Sequence, residues 1–545
     1  MSSAMSVGPW HLALQFLRRV GAQKETLSSF ATNGFWRMAA TFLSEAMHVG
    51  LRISALAHSL LVSACEKRGA WEWSLRFCSG RLGTLSGTYN SVMSASEKST
   101  YWPVSLQLLG ELRAKEVEPS SVNFCTAISA TDRGERPDLG LAVLWESLWL
   151  PLDLKISMLP WSLARLGISD PAWLHLACVE LLEKRGTLST VSSKELSNVA
   201  WSLGMSAVLL PAVQGPLARE AVARLRRTGE DRPRLSLDDL VNTAWGFSSA
   251  PDPALYDALQ AEMLRHVARR AHTAPTRDAP VSEWSDVVAA ALGTTWACRF
   301  ADMLRLPFLR ALRATCARYG AHLDRRQPFL GYSRLPPTDG RAGVSVATDT
   351  PCVAERWSER MVLFKPSGWE VFGENFPNQL LTYVRRFADG PLARDPQHRF
   401  GFLHRLDVPT SGLILCASSY QAFFDLQLQL HAGEIERDYL LLCHGLCQRH
   451  HFDASLAWRG NEPTRAAGQG KPSKSWVKPM AQGFLKQEAM TMAAARIGTG
   501  RRHQLRSHFS FSGYPVVSDQ FYTSEEVFQR PDLATNQANI SKRWS

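Results

Sequence analysis

The texture of the chain changes once, and that change limits what it can fold into. Residues 326–350 are rich in Pro, Gly, Arg and Thr, as in Leu335-Pro336-Pro337-Thr338-Asp339-Gly340, and read as a linker. Upstream, apolar residues recur at helical spacing and whole segments repeat. Downstream, apolar runs are short and bounded by turns, the pattern of strands. A chain of 545 residues has room for several domains of roughly 100–200 residues. The expected architecture is multidomain: an all-α helical-repeat solenoid, then an α+β domain built on a mixed or antiparallel sheet.

Two repeat signatures divide the upstream part into 1–150 and 151–325. In the first, Ser63-Ala64-Cys65-Glu66-Lys67 returns as Ser94-Ala95-Ser96-Glu97-Lys98, an offset of 31. Thr88-Tyr89-Asn90-Ser91 returns as Asn123-Phe124-Cys125-Thr126, an offset of 35. An amphipathic stretch, Ser105 to Arg113, lies between, and Glu118-Pro119-Ser120 breaks the chain before the next copy. Each unit reads as helix, turn, helix, break, stacked to share one core. In the second part, Trp161, Trp201 and Trp245 recur at spacings of 40 and 44, with a worn copy at Trp296. Ser192-x-x-Glu195 and Ser236-x-x-Asp239 mark helix starts. A Trp at a fixed place in each unit is expected to be a core knob between stacked helices.

The first array resembles the pentatricopeptide repeat, best over 86–120, and the second, more loosely, the octotricopeptide-type repeat of organellar RNA-processing proteins. By position in the first family, Asn90 and Ser120 imply a base-reading pair, and Cys125 in the next unit is a poor reader. A purely structural or protein-binding array is the alternative. Net charge is +11 with pI near 9.3, which favours a polyanionic partner, nucleic acid before anionic membrane. No run of about 18 uncharged apolar residues occurs, so no membrane span is expected. The ten cysteines are scattered, as buried free thiols in a reducing compartment would be. The first 24 residues contain no Asp or Glu and include an amphipathic basic stretch. They read either as a transit peptide to a mitochondrion or plastid or as the first helix of the array, in a protein of the cytoplasm or nucleus.

Downstream, 351–545 forms the expected catalytic domain. The stretch from Phe400 to Ala417 is its key. Leu413 to Cys416 looks like a buried strand, Thr410-Ser411-Gly412 is a tight turn, and His404, Arg405 and Asp407 precede it. From these residues alone, Asp407 is either an ionised site carboxylate or a loop residue paired with a neighbouring Arg. Further strands are expected at 361–365, 437–445 and 492–498.

Four blocks in order resemble the RluA-type family of pseudouridine synthases over about 361–522. They are Lys365-Pro366-Ser367-Gly368, the block from His404 to Gly412, Arg437-Asp438-Tyr439, and the block from Gly500 to His508. The resemblance implies conversion of uridine to pseudouridine in RNA (tRNA, rRNA or mRNA), with no cofactor and no metal. It implies Asp407 as nucleophile or general base, Arg506 as its ion-pair partner, and Tyr439 as the ring that stacks on uracil and helps move a proton. Arg405 is placed to hold a phosphate or fill the gap left by the flipped base. His404 and His503 read as structural. Cys443, His444, Cys447, His450 and His451 lack a second ligand pair at finger spacing, so no metal site is expected. In this family Arg437 is usually Lys, Arg502 usually Thr, Ser507 usually Val and Ser518 usually Gly. Only 23 residues follow Tyr522, the closing segment of the family is not recognisable, and no S4-type module is seen. The alternative reading is therefore a non-catalytic RNA-binding repeat protein with a degenerate synthase domain.

Overall fold

The computed structural model describes residues 86–99, 101–115, 117–147, 152–168, 191–206, 209–227, 235–272, 281–326 and 349–523. Short gaps interrupt the last span, and a few isolated positions are added. The acid-free start, the repeat copy at 63–71, most of the linker and the end of the chain lie outside these residues. Two compact units are formed, 1–187 with 277–285 and 188–276 with 286–545.

In the first unit, α1 (Ser86–Lys98), α2 (Trp102–Ala114), α3 (Ser121–Arg133), α4 (Pro137–Ser147) and α5 (Leu152–Arg165) follow one another with short connections. Proline opens α2 and α4, where a missing N–H costs nothing. Ser120 caps α3 in a reciprocal box with Asn123. Tyr89, Val92 and Met93 of α1 meet Leu108, Leu109 and Leu112 of α2 and Phe124, Ala127 and Ile128 of α3. The three- and four-residue spacing of these side chains puts one apolar stripe per helix into a shared core.

The second unit begins with α6 (Ser193–Ser206), α7 (Pro211–Arg226), α8 (Leu237–Gly246) and α9 (Pro253–His272). It continues with α10 (Val281–Phe300), from residue 286 on, and α11 (Leu306–Arg326). The helix starts read from sequence form as hydrogen-bonded caps at Ser192/Glu195 and Ser236/Asp239. Helices α6 and α8 approach closely: Gly204 meets Gly246, where any Cβ would overlap the Ala200 carbonyl. Leu196, Val199, Leu203, Leu240 and Ala244 take the fully buried positions. The repeat tryptophans are half-buried and stack on each other, Trp201 on Trp245 at 6.2 Å. Backbones held together by glycines leave no room for an indole between them, so the rings sit at the edge of the interface rather than as core knobs.

The sheets follow. Strands β1 (Cys352–Trp357), β2 (Arg360–Lys365) and β3 (Gly412–Ala417) form a three-stranded sheet in that order. Strands β4 (Asp438–His444), β5 (His450–Asp453), β8 (Lys474–Leu485) and β9 (Glu488–Ile497) form a second sheet in the order β4-β9-β8-β5. Between them in the chain, β6 (Leu456–Ala457) pairs with β7 (Arg465–Ala466). All these ladders are antiparallel. Three short helices complete the domain: α12 (Leu380–Arg385), α13 (Tyr420–Ala432) and α14 (Gln504–Phe511). The core under the first sheet is built from Met361, Leu363, Val384, Phe402 and Ile414.

Helix α11 packs on α13. Gly320 lies on the backbone at Gln421, where a Cβ would collide. The Asp324 carboxylate accepts from the backbone N–H groups of Tyr420 (2.9 Å) and Gln421 (3.0 Å) and so caps a helix other than its own. Tyr319 packs against Phe424 at 4.9 Å. The eight described cysteines are free, and no described helix is long and apolar enough to cross a membrane.

Candidate active site

Lys365, at the end of β2, has 0% of its surface exposed. Its ammonium donates to the carbonyls of Pro366 (2.9 Å), Trp369 (2.8 Å) and Val408 (3.2 Å). Gly368, at φ +80°, turns the chain so that its N–H donates to the Val408 carbonyl at 2.9 Å. Ser367 Oγ donates to the Pro409 carbonyl at 2.9 Å. The Lys-Pro-Ser-Gly turn thus clamps the backbone next to Asp407. Burial pushes Lys365 down to about 8, and the Asp407 charge works against that shift.

Asp407 Oδ2 accepts from Arg506 Nη1 at 3.0 Å. Arg506 is aimed by a second carboxylate: its Nε and Nη2 donate to the two oxygens of Asp519 at 2.6 and 2.7 Å. This fork leaves one edge of the guanidinium for Asp407. Burial alone lowers Arg506, but Asp519 and then Asp407 outweigh it and the net shift is upward. His503, left-handed at φ +49° just before α14, places Nε2 3.8 Å from Asp407 Oδ2. Its Nδ1 lies 3.0 Å from the Tyr522 hydroxyl. Burial holds His503 below the usual histidine range, with Asp407 opposing. Tyr439, on β4 opposite Ala495 of β9, packs against the core of the first sheet. Burial raises its phenol; Arg437 opposes and Asp407 adds to the shift.

A cleft of about 1880 Å³ lies beside them within the second unit. Asp407, Tyr439, Arg405, His404 and His503 line it, and Arg405 is exposed there. Ten Lys and Arg residues and only four Asp and Glu residues line the same cleft, so its field favours a polyanion. Trp296, Phe300, Phe372, Trp458 and Trp476 add aromatic faces. Gln504 fixes the turn before α14: its amide donates to the Lys474 carbonyl (2.9 Å) and Ser475 Oγ (2.9 Å) and accepts from Thr499 Oγ1 (2.8 Å) and Arg501 N–H (3.0 Å).

The structure brings Asp407, Tyr439 and Arg405 to one cleft, and Arg506 reaches the site through its contact with Asp407. Asn90 and Ser120, in the first unit, meet through a buried third residue. Asn123 Oδ1 accepts from Ser120 N–H (2.7 Å) and Oγ (2.8 Å), while Asn123 Nδ2 donates to Asn90 Oδ1. Sequence reasoning gave no role to Lys365 or Asp519 and read His503 as structural. Lys365 was visible in its motif block, but its hold on the Val408 carbonyl spans 43 residues and leaves no local pattern. Ser518, where the family carries Gly, sits left-handed at φ +64°, and its hydroxyl is buried without a hydrogen-bond partner among the described residues. Cys443 donates to the Thr491 carbonyl at 3.5 Å, and among the described residues no group of three or more His, Cys, Asp or Glu is placed to hold a metal.

Residues 360–511 match the family model described as RNA pseudouridylate synthase. The ribosomal large subunit pseudouridine synthase C of Yersinia pestis is 31% identical over 192 residues, covering 34% of this chain and 57% of the relative. The protein of the same name from Haemophilus influenzae is 32% identical over 173 residues, covering 30% of this chain and 51% of the relative. A solved structure titled Human RNA Pseudouridylate Synthase Domain Containing 1 aligns with 35% of this chain and 74% of its own, at 23% identity and a TM-score of 0.27. The chain spans about half the length of the curated relatives it matches. The matched residues include Lys365, Asp407, Tyr439 and Arg506, and the C-terminal part of the chain carries a pseudouridine synthase-like domain.

Proposed function

We propose that the cleft isomerises uridine to pseudouridine within an RNA strand. The observation that carries this reading is the Asp407 carboxylate, held by Arg506 at 3.0 Å in a basic cleft that Tyr439 also lines. The reaction breaks N1–C1′, turns the uracil over and joins C5 to C1′. The hydrogen leaves C5, N1 gains a proton, and no redox partner is required. Asp407 serves as nucleophile or general base, and Arg506 orients it through the 3.0 Å contact. Tyr439 stacks on the base and handles a proton; its raised affinity keeps the phenol protonated at neutral pH. Arg405, exposed on the cleft wall, suits a phosphate of the flipped nucleotide.

The helical arrays, one similar to pentatricopeptide and one to octotricopeptide repeats, supply further RNA contact; Asn90 and Ser120 belong to the first. The relatives' names make large-subunit rRNA the first substrate to try, ahead of tRNA and mRNA. The basic, acid-free start supports import into a mitochondrion or plastid, which a fluorescent fusion of the first 24 residues would test.

The enzymatic test is tritium release from RNA labelled at uridine C5. Purified wild-type chain should release tritium on at least one cellular RNA pool, and Asp407→Ala should release none above background. Equal release from the two would instead favour a non-catalytic RNA-binding role.

A further inference from the structure

Helix α10 supplies one wall of the cleft. Thr294, Thr295, Ala297 and Cys298, each 0% exposed, anchor the helix in its own bundle. Trp296 and Phe300 are half-buried, stack on each other at 5.2 Å, and face the cleft instead. The synthase-like domain meets them with cations. Arg501 lies over the Trp296 ring at 4.8 Å, and Lys474 over Phe300 at 4.3 Å. The Arg501 guanidinium also donates to the Pro472 carbonyl, at 3.3 and 3.4 Å. Next to it, Arg437 has a buried Nε without a hydrogen-bond partner among the described residues, and its guanidinium fills the space where a Cβ on Gly500 would sit. Neither Arg437 nor Arg501 has a carboxylate partner among the described residues. Burial, and then Arg437, push Arg501 down to about 10, and the two half-buried guanidinium groups face each other with no carboxylate between them among the described residues. Burying unpaired charge is costly, and an anion is what the arrangement lacks.

We infer that the α10 wall is a subsite for the RNA strand beside the target uridine, with Arg437 and Arg501 holding a phosphate and Trp296 and Phe300 stacking a neighbouring base. The inference rests on the RNA-modifying reading of the cleft and adds to it a segment outside the synthase-like match, which begins at residue 360. Aromatic stacking is tolerant of base identity, so this subsite adds affinity and sets the strand path rather than reading sequence.

The test uses the full chain and a fluorescein-labelled 12-nucleotide oligouridylate, with 4-thiouridine for photocrosslinking. Trp296→Ala should weaken binding about tenfold, and Trp296→Phe should stay within about threefold of wild type. Arg501→Gln should reduce the slope of log affinity against log salt by about 0.7, one single-strand phosphate contact. Crosslinks should fall within 294–301. Wild-type affinity and slope in both Trp296→Ala and Arg501→Gln, or crosslinks confined to the strands, would overturn the inference. If Trp296→Ala unfolds, Arg501→Gln and the crosslink map still decide. Binding is read apart from turnover. Predicted binding without pseudouridine on any RNA would sink the enzymatic reading and leave the subsite standing; pseudouridine formation without these effects would do the reverse.

Discussion

Arg506 is the residue on which the site geometry turns. One guanidinium edge is committed to Asp519 in a two-point fork, and the remaining Nη1 points at Asp407. A lysine keeps the charge but cannot make both contacts. Arg506→Lys should therefore lower turnover at least 100-fold while RNA affinity falls less than threefold; single-turnover assays with saturating RNA check this, and turnover within fivefold of wild type would contradict it. His404 and His508 set an acid limit on stability. Burial pushes each down to about 4, with Arg437 adding to the shift at His404. Below the ordinary histidine range of about 6.5, the unfolded chain binds protons that the folded chain refuses until about 4. Stability should thus be full above pH 6.5 and fall as pH drops toward 4, by on the order of 3 kcal/mol per histidine at most. Thermal unfolding across pH 7.5 to 4.5 would show it, and a flat midpoint would count against buried neutral imidazoles. Among single residues, family spacing marked Asp407, Tyr439 and Arg506 as candidates, and the structure places Arg506 on Asp407 and lines the cleft with Asp407 and Tyr439. Asp519 was not so marked, because its part is to aim another side chain 13 positions away.

At the scale of elements, local chemistry carried most of the information. The serine–acid pairs before α6 and α8 announced the helix starts, and the apolar runs at 361–365 and 413–416 became β2 and β3. Pairing order was not legible: β9 lies between β4 and β8, and no local pattern carries that arrangement. Nor was the cap that Asp324 places on α13, across 96 residues of chain. That cap gives a direct prediction. Asp324→Ala should destabilise the second unit by about 1 kcal/mol, since two helix N–H groups lose their acceptor. Chemical denaturation followed by tryptophan fluorescence measures it, and an unchanged midpoint would show that Ser419, which already accepts from Ala422 N–H, caps the helix unaided.

For the whole molecule, the sequence texture marks where helices give way to strands, whereas the compact units divide at 187 and 188. The reason lies in side chains that composition does not reveal: Gly320 and Asp324 seat α11 on α13, and Trp296 and Phe300 bring α10 to the cleft. The net charge of +11 favours a polyanionic partner, and ten cationic against four acidic side chains line the cleft. We propose that the Asp407 cleft makes pseudouridine. The most direct test is a transcriptome-wide pseudouridine map of cells whose only copy of the gene encodes wild type or Asp407→Ala, at matched protein levels. At least one site should be fully modified with the wild type and unmodified with the variant; identical maps would contradict the account.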